Sequence, residues 1–431
     1  MKSACLFDES LEKLVGILVQ KLGTDIVGNG VVLRDVSGQL AFFSKEAIDD
    51  KKIADVSELL IQTMGAYTRP DRVVADCNAT GTAYILEDAT KRRIYVNDTQ
   101  ISYIDRRLVG ADWLLSPKQL STNPIRLVFA SLKGGVGRST ALSVVAAEQA
   151  RLARNILVID YDLEAPGVGS MLLGEDRTPK LGVLDYFVES NRGPVDRTFV
   201  DEMVGTSTLT DGAGQVDVVP VVGTLSDKYP ENFMAKLSRG MMEGLLPDGT
   251  SISVTAKLVN LLAALESRRS YDLILLDARA GMAELTAGPM LAAGANILLF
   301  GTSQSQTLQG LKFLFAHLSS LVGQDVESPW RALKLIHSKA THQHAREQFK
   351  DSIWELFLNY IYEEVRDVDD GFSYDVNDPD APHFPIAVPL DTAFSDWDPV
   401  KEPSRLLESY YSRTFGDLLQ YVEDLLKDTS P

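Results

Sequence analysis

The sequence predicts a doubly wound α/β domain with a mostly parallel sheet, preceded by a small α+β domain. Three observations carry this expectation. From Ile125 onward, short apolar runs (IRLVFA, NILVID, VDVVPVV, DLILLD, ANILLF and LKLIH) alternate with stretches of helical spacing. Near-continuous apolar strands separated by helices belong to a parallel sheet covered on both faces. The first run passes straight into a glycine-rich loop, SLKGGVGRST, and then into the helical stretch STALSVVAAEQARLA, which makes half of a βαβ unit. Ahead of Ile125 the pattern differs, and Pro117 and Pro124 punctuate a polar segment, SPKQLSTNP, that reads as a linker. The expected domains are therefore residues 1–120 and 121–431.

In the first domain, MKSACLFDESLEKLVGILVQKL reads as an amphipathic helix. Its acidic residues interrupt the unbroken apolar core that a signal peptide needs. GVVLRDVSGQLAFF alternates around a DVSG turn and predicts a hairpin, and KIADVSELLIQTMGAY has helical spacing. TAYILE and RRIYVND are expected as two further short strands. ISYIDRRLVGADW, with Tyr103 and Trp113 beside two arginines, reads as a packed, partly exposed face rather than a ligand surface.

Beyond the sheet strands, EQFKDSIWELFLNYIYEEV and SRLLESYYSRTFGDLLQYVEDLL predict helices. The last is amphipathic but acidic, which suits packing on a core better than lying on a membrane. Tyr410 and Tyr411 within it follow the apolar pattern and are expected in the core. The acidic stretch DVDDGFSYDVNDPDAP invites a calcium reading, but Arg366 stands five residues before Gly371 where an EF-hand loop needs Asp. His342 and His344 form an H-x-H without a matching Cys or acidic ligand, and a surface helix start explains them better than a metal.

Bulk properties narrow the function classes. The 431 residues carry a formal charge of −18. Such a surface repels nucleic-acid phosphate and anionic lipid, which argues against non-specific DNA binding and against a membrane partner. No stretch approaches the ~20 apolar residues that span a bilayer. The cysteines, Cys5 and Cys77, form no C-x-x-C and no disulfide framework, so a reducing cytoplasm is expected.

The loop carries the chemistry. Gly134, Gly135 and Gly137 let the backbone wrap closely, turn N–H groups toward phosphate oxygens and lead into a helix N-terminus. Ser139 sits where a hydroxyl would ligate Mg²⁺. Asp160, Asp162 and Asp277 follow at the ends of apolar strands, where carboxylates either cap the next helix or serve a metal–phosphate site; with the loop beside them, the second reading is preferred. Without a metal they would only repel a triphosphate, whereas a divalent ion makes them sensible.

K-G-G-V-G-R-S-T resembles the deviant Walker A motif, K-G-G-x-G-K-[ST], of the ParA/MinD superfamily of P-loop ATPases, within the SIMIBI class. VIDYDLEAPG is similar to that family's D-x-D segment, and YDLILLDARAG to its Walker B strand and switch II, hhhhD-x-P-x-G. The arginine form also looks like a KGGVGR-motif variant subgroup, whose members the resemblance associates with multi-gene systems of the defence type. The likeness covers roughly residues 125–340 and not the first domain.

What the resemblance implies is a P-loop ATPase that binds ATP or ADP with Mg²⁺. Lys133 matches the signature lysine that reaches the nucleotide of the partner subunit in a homodimer. Gly134, Gly135, Val136, Gly137, Arg138, Ser139 and Thr140 match the phosphate loop, Thr140 lying beside the α-phosphate. Asp162 matches the residue that orients the attacking water, Asp160 a support of the metal shell, and Asp277 the Walker B aspartate that holds Mg²⁺ through water. AVPLDTAF, with Pro389 and Leu390, resembles the loop that packs on the base.

The departures matter as much. Arg138 replaces the lysine that bridges β- and γ-phosphates, exchanging a point donor for a planar fork. Binding should survive that exchange, while the geometry for hydrolysis is in question. Arg279 takes the switch II proline position and is either a phosphate sensor or an ion-pair partner of Glu284. Glu164 is either a switch residue or a surface charge, and His337 stands where relatives carry an adenine-reading asparagine.

The expected function is an ATP-binding switch with slow hydrolysis, ATP-favoured homodimerisation and an unidentified protein partner. The alternative is a nucleotide-dependent interaction module without useful turnover. An iron–sulfur carrier would need paired cysteines, and a related tyrosine kinase would need a tyrosine-rich tail.

Overall fold

Two compact units make up the chain, Met1–Ala111 and Asp112–Pro431. The computed structural model describes residues 5–69, 71–209, 214–246, 248–321, 332–362 and 373–428. Arg366 and Gly371, on which the calcium question turned, lie outside the described residues, as does the end of the EQFKDSIWELFLNYIYEEV segment.

The first unit comprises α1 (Phe7–Leu22), β1 (Val31–Arg34), β2 (Leu40–Phe43), α2 (Asp50–Met64), β3 (Val74–Ala75), β4 (Arg92–Val96) and β5 (Thr99–Asp105). Its sheet runs β3-β2-β1-β5-β4, with antiparallel hairpins β1/β2 and β4/β5 joined through the parallel pair β1/β5. Helix α1 buries Leu14, Val15, Leu18 and Leu22, and α2 buries Val56, Leu60 and Met64, one stripe from each. Asp49 caps α2 by accepting from the Lys51 and Lys52 N–H groups.

One expectation fails here. Thr82–Leu86, within TAYILE, is a short helix and not a strand. It follows Gly81, whose φ of 86° turns the chain in the left-handed region. Five apolar-rich residues are too few for periodicity to separate helix from strand. Tyr103 is buried as expected and accepts from Arg34 Nε at 2.9 Å, while Arg106 and Arg107 pair with Asp88 and Asp105.

In the second unit the main strands are β6 (Ile125–Ser131), β7 (Asn155–Tyr161), β8 (Gly205–Thr206), β9 (Gln215–Val219), β10 (Leu273–Ala280), β11 (Asn296–Gly301), β12 (Leu333–Ala340) and β13 (Ile386–Pro389). Their order is β13-β12-β11-β6-β10-β7-β9-β8, and every neighbouring pair is parallel except β8/β9. The larger helices are α3 (Arg138–Arg151), α4 (Val254–Arg268), α5 (Ser305–Leu321), α6 (Gln343–Tyr360) and α7 (Glu408–Asp428).

Both faces of this sheet are covered. Along β10, Ile274 and Leu276 join a core with Leu258, Phe315 and Phe357 from α4, α5 and α6. Leu273 and Leu275 join the opposite core with Leu142 and Val145 of α3 and Tyr411, Phe415 and Leu418 of α7. This is why the strands read as apolar at every position. Tyr411 is buried as expected, but Tyr410 is 54% exposed.

The unit boundary falls ahead of SPKQLSTNP. Asp112 accepts from the Thr255 N–H and hydroxyl at 3.1 and 2.6 Å, and Trp113 Nε1 donates to the Ala283 carbonyl at 3.1 Å. These bonds fix the segment to the second unit before the first proline. His342 caps α6 by accepting from the Ala345 N–H at 3.2 Å, which gives the H-x-H a helix-start role.

Candidate functional site

Strand β6 lies inside the sheet, and α3 begins directly after the loop that follows it. Gly135 and Gly137 have φ of 72° and 87°, a region that favours glycine, and Gly137 stands at the N-terminus of α3. No side chain caps that N-terminus, so its first N–H groups are free for a ligand. Gly134 has neither a positive φ nor any atom within 4 Å of a built Cβ. Its lack of a side chain has no internal cause and suits close approach of a bound group.

The side chains beyond the loop converge on β7 and β10, which lie next to each other with Asp160 opposite Asp277. Ser139 Oγ donates to Asp277 Oδ2 at 2.5 Å. Arg138 is buried at 8% exposure and turns inward, donating to the Ala278 carbonyl and placing Nη2 3.6 Å from Asp162 Oδ2. Asp160 holds the segment after β7, accepting from the N–H groups of Asp162, Gly167 and Gly169 at 3.3, 3.0 and 3.1 Å. The structure thus brings together Arg138, Ser139, Asp160, Asp162 and Asp277.

Burial raises the carboxyl groups of this cluster. Burial, with the Asp277 charge beside it, pushes the Asp160 carboxyl up to about 7. Burial also pushes Asp277 up to about 6, against the lowering effects of Arg138 and the Ser139 hydroxyl. Asp162 is raised by burial and held back chiefly by Arg138. Asp162 Oδ1 and Asp277 Oδ1 are buried and have no hydrogen-bond partner among the described residues. Orphaned buried carboxylate oxygens are costly, and a metal ion with its waters would satisfy them.

The donor set fits Mg²⁺ rather than a protein-caged ion. No group of three His, Cys, Asp or Glu among the described residues is arranged to hold a metal. Mg²⁺ commonly takes one or two protein ligands and completes its shell with phosphate and water. Ser139 and Asp277 are placed to be those ligands. Both oxygens of Asp160 already have backbone partners, so its part in this structure is to hold the segment after β7.

Other expected residues lie around this centre. Lys133 is half-buried and donates to Gln304 Oε1 at 2.6 Å. Val136 is buried, and Thr140 is half-buried in the first turn of α3. His337 is buried on β12, stacks on Phe349 with ring centroids 4.2 Å apart, and lies 2.8 Å through Nε2 from Ser303 Oγ. Its Nδ1 has no partner among the described residues, and burial, together with Arg346, pushes its pKa down to about 4. Pro389 ends the edge strand beside Ala340, three residues beyond His337 on the neighbouring strand.

Two features escaped the sequence. Ser303 and Gln304, after β11, connect the loop lysine to His337, but nothing in TSQSQT marks them. Arg279 reaches across to the segment after β7. Its Nη1 contacts Glu164 Oε1, while Glu284 accepts from the Asp112 N–H at 2.8 Å. The nearer acidic residue in sequence thereby meets the chain entering the unit, and Arg279 meets the loop after β7.

No protein-family model and no curated protein matches the chain. Solved structures do. It is similar to a ParA family ATPase from Chlorobium tepidum, at 16% identity over 69% of this chain and 99% of that one, with a TM-score of 0.43. It is similar to the cell division ATPase MinD of Pyrococcus furiosus, at 16% identity, 70% and 99% coverage and a TM-score of 0.43. A third, pNOB8 ParA, was solved bound to nonspecific DNA; it shares 16% identity over 71% of this chain and 98% of its own, with a TM-score of 0.42. The expectation against non-specific DNA binding, drawn from charge alone, does not hold for that protein. The protein is similar in these comparisons to ParA/MinD-type P-loop ATPases.

Proposed function

We propose that the second unit binds ATP with Mg²⁺ at the loop Lys133–Thr140 and acts as a nucleotide switch with slow hydrolysis. The observation that carries this reading is the convergence of the uncapped α3 N-terminus, Arg138, Ser139 and Asp277 with two orphaned, buried carboxylate oxygens. A triphosphate alone would be repelled by those carboxylates, and a divalent cation alone would leave the loop N–H groups without an anion. The pair together balances the site.

In this reading, Gly134, Gly135, Val136 and Gly137 cradle the phosphates through backbone N–H groups. Arg138 turns from the Ala278 carbonyl toward phosphate oxygen. Ser139 and Asp277 would hold Mg²⁺, which would neutralise phosphate charge there. Asp162 orients the attacking water, and His337 with Pro389 borders the base. Lys133, whose ammonium meets only Gln304 among the described residues, through a partly exposed bond, crosses to a second copy, so that ATP favours a homodimer presenting a surface to a protein partner.

A second reading, an interaction module without useful turnover, is favoured by one observation. Arg138 is engaged inward with Asp162, the residue that hydrolysis needs free. Single-turnover hydrolysis of the native chain, Arg138→Lys and Asp162→Ala separates the two. Slow turnover in the native chain, lost in Asp162→Ala, supports the switch. Nucleotide binding without turnover in the native chain, with turnover gained in Arg138→Lys, supports the module.

A further inference from the structure

We infer that Arg279 is the residue that distinguishes a nucleoside triphosphate from a diphosphate, and that Glu164 holds it in reserve until the terminal phosphate arrives. This rests on the nucleotide site proposed above and adds a reader of the last phosphate to it. The inference starts from a backbone irregularity. Between Asp277 and Ala280, β10 carries one more residue than β6 opposite it, where the paired positions are Phe129 and Ser131. Such a bulge re-aims side chains at a strand end. Here Ala278 and Arg279 fall within it: the Ala278 carbonyl takes Arg138 of the loop, and Arg279, next in sequence, meets Glu164.

Glu164 belongs to the segment after β7 that Asp160 holds through the Gly167 and Gly169 N–H groups. The Arg279–Glu164 contact therefore joins the two segments that flank the loop, one from β10 and one from β7. Asp162 feels Arg279 as well as Arg138, which puts both cations beside the same carboxylate. The site as a whole sets four carboxylates, Asp160, Asp162, Glu164 and Asp277, against two guanidinium groups. Each arginine is thus already neutralised, but not equally. Arg138 is buried, whereas the Arg279 and Glu164 side chains are 29% and 34% exposed.

That exposure decides the exchange. A partly exposed carboxylate–guanidinium pair is weak and screened by salt. A phosphate offers the same fork two oxygens and more charge, in a bidentate geometry that arginine matches well. Arg279 leaves Glu164 for a terminal phosphate at little cost, which frees the part of the segment between Asp162 and Glu164 while Asp160 still holds Gly167 and Gly169. A diphosphate ends short of this position and leaves the pair closed. The chain would thereby couple phosphate count to the position of the loop that carries Asp162, since a ligand shifts a conformation only through differential contact.

The experiment is calorimetric titration of the full chain with ADP and with the non-hydrolysable analogue AMPPNP, both with Mg²⁺, for the native protein, Arg279→Ala, Arg279→Lys and Glu164→Gln. Arg279→Ala should weaken AMPPNP about tenfold and ADP less than twofold, with partial recovery in Arg279→Lys. Glu164→Gln removes the competitor and should tighten AMPPNP about threefold, leaving ADP unchanged. Equal shifts for both nucleotides, or none in either variant, would overturn the inference while leaving the nucleotide site standing. Failure of the native chain to bind either nucleotide would remove the site and the inference together. Should Arg279→Ala not fold, the Glu164→Gln ratio decides.

Discussion

Replacing Arg138 by alanine tests both halves of its position, the buried contacts it makes now and the phosphates it is proposed to meet. Its hydrogen bond to the Ala278 carbonyl is charge-assisted, a class worth about 1.5–3 kcal/mol. The Asp162 contact at 3.6 Å adds less, because that carboxyl is already raised and can take a proton when its partner goes. The expected loss is about 2–3 kcal/mol. In a unit of this size that lowers the unfolding midpoint by about 3–4 °C. Ligand linkage gives the second half. ATP at about 100 times its dissociation constant stabilises the native protein by about 2.7 kcal/mol. A variant that binds about thirtyfold more weakly gains only about 0.9 kcal/mol at the same concentration. Differential scanning fluorimetry with and without Mg-ATP reads both shifts, and Arg138→Lys should lie between the two proteins. An unliganded midpoint equal to the native one would refute the buried contacts. An undiminished ATP shift would refute the phosphate role.

Other consequences are simpler. Asp277→Asn and Ser139→Ala should each remove the Mg²⁺ dependence of ATP binding, seen by titrating nucleotide with and without EDTA; a retained dependence would place the metal elsewhere. Lys133→Ala should leave the unfolding midpoint within about 1 °C, since a partly exposed hydrogen bond contributes little, while abolishing ATP-dependent association. His337 titrates near 4 when folded and near 6.5 when unfolded, so its contribution is complete above pH 6.5 and is lost as pH falls toward 4. That loss should reach about 2–3 kcal/mol in urea titrations between those limits, and His337→Asn should remove it. An unchanged pH profile in the asparagine variant would show that His337 is not the group responsible.

Much of the second unit was legible because its physics is local. A strand covered on both faces must be apolar at successive positions, so IRLVFA and DLILLD announced themselves. The loop was legible for a similar reason: glycines at positive φ between a strand and a helix are written in adjacent residues. The side-chain geometry around it was less so. Lys133 meets Gln304, 171 residues away, and Arg279 meets Glu164 in the segment after β7. Such pairings depend on which strand ends neighbour each other, and the order of eight strands is not encoded in any one of them. TAYILE failed because five residues cannot display a period, and SPKQLSTNP misled because the contacts of Asp112 and Trp113 that fix the chain ahead of it lie far along the sequence.

If the terminal phosphate drives a change of state, sedimentation velocity reads it as a change in oligomer. The native chain is measured alone, with Mg-ADP and with Mg-AMPPNP, beside Lys133→Ala under the same conditions. The account expects a monomer alone and with ADP, a dimer with AMPPNP, and a monomer throughout for Lys133→Ala. A single sedimentation coefficient for the native chain in all three conditions would contradict it.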